Sequence, residues 1–161
     1  MSLIAITNPH IEELIRAAQK SKRGRIIFNY HTYAADPVQR MLNAIEPGSY
    51  VQPHKHENPD KSEVFIILKG RIAVIIYDDT GEIDDFIILD REEGHFGAEV
   101  PPRTWHSIIA LESGTVIYEV KHGPYDPTTD KVFAPWAPAE NHPQAGEFLL
   151  QVTKKLNRFV E

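Results

Sequence analysis

His54, Lys55 and His56 lie in a run that reads as a β-strand. Residues two apart on a strand point to the same face, so the two imidazoles converge while Lys55 turns away. Glu63 opens the next strand-like run, Ser62-Glu63-Val64-Phe65, and His106 stands at the start of another, after Thr104 and Trp105. Three imidazoles and one carboxylate form a nitrogen–oxygen ligand set suited to a divalent first-row metal, with iron, manganese, zinc, nickel and cobalt left indistinguishable. The pattern predicts one metal ion held by His54, His56, Glu63 and His106. A metal with four protein ligands that prefers five or six keeps positions open for water or substrate.

Around this set stand further groups able to do chemistry. Glu119 and Lys121 share a face near the end of a strand, either as a surface ion pair or as an acid/base and an anion-binding lysine inside a pocket. Tyr125, after Gly123 and Pro124, can fold back over such a pocket. Arg25, Ile27, Asn29 and His31 share one face of a strand, and Ile26, Phe28 and Tyr30 share the other. The apolar face is the better core face, which leaves Arg25, Asn29 and His31 at a pocket mouth or in solvent. His95 and Trp105 are candidates for the rim. His10, His122 and His142 read as surface residues.

The elements that would position these groups follow from periodicity. Asn8 as cap, Pro9, and Ile11, Leu14, Ile15 and Ala18 at helical spacing predict a helix ending near Gly24. Strands are predicted over 25–31, 39–45, 50–56, 63–68, 71–77, 83–89, 99–100, 107–111 and 115–121, with turns such as Lys69-Gly70 and Asp78-Asp79-Thr80-Gly81 between them. Many short strands with polar turns point to an antiparallel sandwich or barrel of the jelly-roll kind, mainly β, rather than to βαβ units. Residues 123–146 hold five of the twelve prolines and read as an extended arm. Phe148, Val152, Leu156 and Phe159 then mark a C-terminal helix expected on the outside of the barrel. The division expected is an N-terminal helical segment (1–23), a barrel (24–122) and an arm with its helix (123–161), all one domain.

Composition narrows the class. The chain of 161 residues has 42% apolar and 25% charged residues, a formal net charge of −6 and no cysteine. Thiolate sites, disulfides and cysteine nucleophiles are excluded. No basic stripe for nucleic acid is present, because the cluster from Lys20 to Arg25 reads as a helix end. The N-terminus lacks the form of a secretory signal, and no apolar run is long enough to span a bilayer. The expectation is a cytoplasmic protein with a small-molecule partner, without nucleic acid or membrane. Dinucleotide, phosphate-loop, zinc-protease and serine-hydrolase motifs are missing.

Gly48, then five residues, His54-Lys55-His56, a gap, Glu63, six residues and Gly70 resemble the first motif of the cupin superfamily, with a gap of six residues (57–62) that is longer than usual. Gly94, Pro101 and His106 resemble the second motif, with Arg103 in place of its internal glycine and Ala110 in place of its asparagine. A wider likeness spans Arg25 with Asn29 and His31, Tyr50 to His56, Trp105-His106, Glu119 to Tyr125, and Ala137 to Glu140. On these residues the chain resembles the WbuC family of cupin-fold metalloproteins. The resemblance implies a cupin-type double-stranded β-helix with one divalent metal, and a link to bacterial O-antigen polysaccharide biosynthesis. With the strand faces read above, Glu119, Lys121 and Tyr125 are the expected catalytic residues, a reading the resemblance favours for Glu119 and Lys121, and Arg25, Asn29, His31 and Tyr50 are the expected substrate-binding ones. The resemblance leaves three functions open: a metal-dependent isomerase or epimerase on a sugar-related molecule, a non-catalytic sugar-binding module, or an Fe(II)-dependent dioxygenase. Cupin barrels often pair through exposed strands, so a homodimer is expected.

Overall fold

The computed structural model describes residues 3–160, with side chains through Arg158, so the expected packing of Phe159 lies outside the described residues. The first helix, α1, spans Asn8–Lys20 and buries Ile11, Leu14, Ile15 and Ala18. Its cap position is Thr7 rather than Asn8, in extended conformation and with no side-chain cap bond. The Thr7 carbonyl accepts the first helical hydrogen bond from Ile11. Pro9 sits in the first turn, where a missing N–H costs nothing.

Ten strands follow: β1 (Arg25–Asn29), β2 (Val38–Ile45), β3 (His54–Lys55), β4 (Glu63–Lys69), β5 (Arg71–Tyr77), β6 (Ile83–Asp90), β7 (Gly97–Val100), β8 (Trp105–Ala110), β9 (Thr115–His122) and β10 (Val132–Phe133). The second helix, α2, covers Ala145–Val160. The strands form two antiparallel five-stranded sheets, ordered β1-β2-β9-β4-β7 and β10-β3-β8-β5-β6. This is the jelly roll expected from the strand pattern.

Strand alternation separates the layers. Ile72 and Val74 of β5 face the other sheet, in a core with Ile45, Phe65, Ile67, Leu89, Val100, Ile108, Ala110 and Ile117. Ala73, Ile75 and Tyr77 face outward and are covered by Ala145, Leu149, Val152 and Leu156 of α2. On the opposite sheet, Leu42, Ala44 and Val116 face outward beneath α1. Each helix therefore lies on the outer face of one sheet, and the inner faces enclose the barrel. Among the described residues, no helix is long and apolar enough to cross a membrane.

Two expectations need correction. The strand expected over 50–56 pairs only at His54–Lys55, because Pro53 has no N–H for a ladder. The proline-rich arm is not merely a connector, since Val132 and Phe133 pair with Lys55 and His54 and add a strand at the site. The β4–β5 turn needs its glycine: Gly70 has φ +73°, and a Cβ there would lie 2.5 Å from the Thr115 hydroxyl.

Candidate metal centre and pocket

Register brings the predicted ligands together. His54 is the cross-strand partner of His106 in one sheet, and Glu63 is the partner of Lys121 in the other. The two sheets face each other, so Glu63 meets the histidines across the barrel. His54, His56, Glu63 and His106 are all buried, and one ligand atom from each lies within 4.8 Å of all the others.

The hydrogen bonds fix how the imidazoles present themselves. Nδ1 of His54 bonds the Gln52 carbonyl at 2.9 Å, and Nδ1 of His106 bonds the Thr104 carbonyl at 2.9 Å. Nδ1 of His56 bonds the Asp130 carbonyl. A carbonyl only accepts, so each Nδ1 carries the proton and each Nε2 turns its lone pair inward, which is the form that binds metal. Burial, followed by the nearby charges of Lys131 and His106, holds the His54 pKa well below its ordinary value and the ring neutral.

Glu63 Oε2 lies 2.9 Å from His106 Nε2, and Oε1 lies 2.9 Å from His56 Nε2. With Nδ1 already a donor, each Nε2 can face a carboxylate only across a second proton or a cation. His56 Nε2 has a short distance to Glu63 without hydrogen-bond alignment and is a buried nitrogen lacking such a partner among the described residues. Burial alone would raise the Glu63 pKa, but the hydrogen bond with His106 and the nearness of His56 outweigh it and hold the carboxyl well below its usual range. Once a cation takes the place of the proton between His106 and Glu63, an ionised carboxylate and three inward lone pairs fit a divalent metal.

Behind the ligands lies a buried ion network. Asp130 receives Lys61 Nζ at 2.8 Å on one oxygen and Lys121 Nζ at 2.7 Å on the other. Lys121 Nζ is also 3.6 Å from Glu63 Oε1. Lys61 comes from the lengthened gap between His56 and Glu63, and its ammonium also donates to the Pro124 carbonyl. The extra loop residues thus deliver a buried lysine that anchors the arm. Arg103, in the place of the second motif's glycine, keeps the left-handed backbone with φ 62°. Its N–H donates to the His56 carbonyl at 2.9 Å and its Nε to Asp60 at 2.8 Å, which hold an arginine in a conformation that suits glycine.

The centre opens into a cavity of about 450 Å³. Arg25, Asn29, His31, Glu119, Lys121 and Tyr125 all line it. The apolar face of β1 packs outward, with Ile26 and Tyr30 against the α1 cluster, which turns the Arg25–His31 face to the cavity. Arg25 is heavily engaged, donating to Ser49 Oγ and the Tyr50 carbonyl and pairing with Glu140 at 2.8 Å. Glu119 is not a surface partner of Lys121. It receives Asn43 Nδ2 at 2.6 Å, and burial, reinforced by the Glu63 charge, pushes its pKa up to about 7.

Other expected residues stand elsewhere. Tyr50 is 7% exposed, packs against Phe148 of α2 and donates its hydroxyl to the Pro138 carbonyl at 2.8 Å, so it does not line the cavity. Trp105 packs against Trp136 and donates to Asp79, and His95 bridges to Asp90; neither forms the rim. His10 is partly covered by Phe28 and Tyr30 rather than free in solvent. Sequence reasoning missed Asn43, Lys61, Asp130 and Lys131. Asn43 was legible as an inward position of β2, two residues from Met41 and Ile45. The others sit in loops, where no period applies. A larger hollow of about 790 Å³ lies between α2 and the outer sheet face, and none of these groups line it.

The two-sheet jelly roll with a buried His/Glu group at one end is the cupin architecture. The chain belongs to the family described as Domain of unknown function (DUF6016), whose model matches residues 6–89. No curated protein sequence matches it. Among solved structures, it is similar to KdgF from Halomonas sp. (18% identity, TM-score 0.50, covering 68% of this chain and 87% of that one). It is also similar to the capsular polysaccharide assembling protein CapF from Staphylococcus aureus (20% identity, TM-score 0.55, covering 66% of this chain and 28% of that one). A third similar structure is oxalate oxidase in complex with the substrate analogue glycolate (17% identity, TM-score 0.51, covering 73% of this chain and 58% of that one). The chain thus spans only about a quarter of CapF.

Proposed function

We propose that this protein is a WbuC-like metal-dependent enzyme that carries out proton transfer, of the isomerase or epimerase type, on a small sugar-related molecule of bacterial polysaccharide biosynthesis. The observation that carries the reading is the convergence of three backbone-oriented imidazoles and the ionised Glu63 at the base of a cavity that also holds Glu119. His54, His56, Glu63 and His106 would hold one divalent transition metal, which supplies Lewis-acid polarisation of a carbonyl or hydroxyl when bound.

The chain's own groups account for the rest. Glu119, titrating near 7, is matched to taking and returning a proton at neutral pH. Asn43 fixes its carboxylate through Oε2. Lys121, with an ammonium held by Asp130 and Glu63, keeps positive charge beside the reacting group. Tyr125, 44% exposed at the cavity edge with its ring 5.9 Å from Lys121 Nζ, can close over a ligand. The polysaccharide link rests on the resemblance and on a fold shared with part of a capsular polysaccharide assembling protein.

The test is turnover of a panel of nucleotide sugars, sugar phosphates and sugar acids by metal-loaded protein. The expected result is conversion of at least one compound, lost on chelation, and lowered about a hundredfold or more in kcat by Glu119→Gln. Binding without conversion under any metal would replace this reading with a carrier or sensor module. Oxygen consumption with Fe(II) would replace it with a dioxygenase.

A further inference from the structure

Arg23, Arg25, Lys121 and Lys131 are the lysine and arginine residues that line the cavity. Arg23 and Arg25 both pair with Glu140, and Lys121 pairs with Asp130. Among the described residues, Lys131 alone of the four has no hydrogen bond or ion pair. Its backbone is nevertheless fixed. The preceding carbonyl, of Asp130, accepts from His56 Nδ1, and the next residue, Val132, pairs with Lys55. Lys131 is exposed by area because it opens onto the cavity, yet surrounding protein desolvates its ammonium enough to lower its pKa. It lines the same cavity as His54, Glu63, Lys121, Glu119 and Asp130, and its charge acts on all five.

The charge balance at this end of the barrel is uneven. Lys61, Lys121 and Lys131 face two carboxylates held ionised, Glu63 and Asp130, and a third, Glu119, that is half-titrated near neutrality. A divalent cation at Glu63 would widen the positive excess. A cation in partly desolvated surroundings, with carboxylates near it but none in contact, gains when an anion joins it. Asn29 and Tyr125 add neutral polar groups to the wall, and about 450 Å³ suits a molecule of monosaccharide size.

We propose that Lys131 is the specificity-determining residue of this cavity, pairing with the charged end of a small anionic ligand, a carboxylate or a phosphate monoester, whose other oxygens face the His54–Glu63 centre. The proposal rests on the reading of the cavity as a small-molecule site, and it narrows that molecule to an anion. Neutral sugars would lack the charge to form the ion pair that Lys131 does not make within the protein.

Calorimetric titration of full-length, metal-loaded protein tests it. The probes are galacturonate, glucose 6-phosphate and the neutral sugars galactose and glucose. At least one anion should bind about tenfold or more tightly than its neutral counterpart. Lys131→Met should erase that margin without changing neutral-sugar binding or metal content, and Lys131→Arg should keep most of it. The arginine variant separates lost charge from lost fold. Preference for galacturonate or for glucose 6-phosphate names the oxyanion. Equal binding of anions and neutral sugars, no binding of either anion, or unchanged anion affinity in a folded Lys131→Met protein would each overturn the proposal. Repeating the titration after chelation separates the two readings. Lys131-dependent anion binding in a protein that never holds metal would keep the anion site and remove the metal. Metal retention with Lys131-independent anion binding would do the reverse.

Discussion

The inside of the barrel has two ends built on the same strands and the same two-residue period. At one end the inward positions are Ile45, Phe65, Ile67, Ile72, Val74, Ile108 and Ile117, an apolar core. At the other, continuing along β2, β4, β8 and β9, they are Gln39 and Asn43, Glu63, His106, and Glu119 and Lys121. Burial is similar at both ends: Ile117 is 0% exposed, Glu63 is 3% and His106 is 2%. Only the side chains differ. Apolar burial stabilises the first end, at roughly 25 cal/mol per Å² removed from water. The second end places ionisable groups where desolvation opposes them, and each must be offset by a partner. A barrel that needed only stability would continue the apolar pattern, so the polar end is where function is to be sought.

Breaking each end should give different results. Asp130→Ala leaves Lys61 and Lys121 buried without their carboxylate, and should cost about 3–5 kcal/mol of stability. It should also weaken metal retention, because the Asp130 segment carries the carbonyl that orients His56. Ile117→Ala opens a cavity in the apolar end and should cost about 2–5 kcal/mol, with metal content unchanged. Denaturant unfolding and elemental analysis of both variants check the contrast. Equal metal loss in both would mean that the two ends are not separable.

A smaller effect follows from Glu119. Its folded pKa is raised to about 7, so the folded state prefers the protonated form. The stability this group contributes is full below its unfolded pKa near 4.5 and is lost as pH rises through the folded value. Relative to Glu119→Gln, metal-free protein should lose up to roughly 3 kcal/mol between about pH 4.5 and 7.5. Unfolding both proteins across that range checks it, and a flat difference would contradict the placement. Metal on Glu63 would remove part of the repulsion and shift the loss to lower pH.

The two ends also differed in how readable they were. The apolar end follows from strand alternation, as do the β1 face lining the cavity and the inward direction of Glu119 and Lys121. The convergence of His54, His56, Glu63 and His106 required only that two strand pairs face each other. Lys61, Asp130 and Lys131 were not legible, since they reach the site from the loop of 57–62 and the proline-rich arm, where side-chain direction depends on tertiary contacts. Tyr50 was misplaced for a related reason. It lies close in sequence to His54, but it precedes the paired strand and turns outward beneath α2. Arg103 shows the limit of motif comparison, because the backbone keeps a glycine's conformation where the residue type has changed.

The most direct test of the account is the metal content of protein purified without chelator, beside His56→Ala prepared in the same way. The account predicts close to one divalent transition-metal ion per chain in the wild type and loss of most of it in the variant, with the fold retained. Wild-type protein that takes up no metal even on reconstitution, or a His56→Ala variant that keeps a full complement, would contradict it.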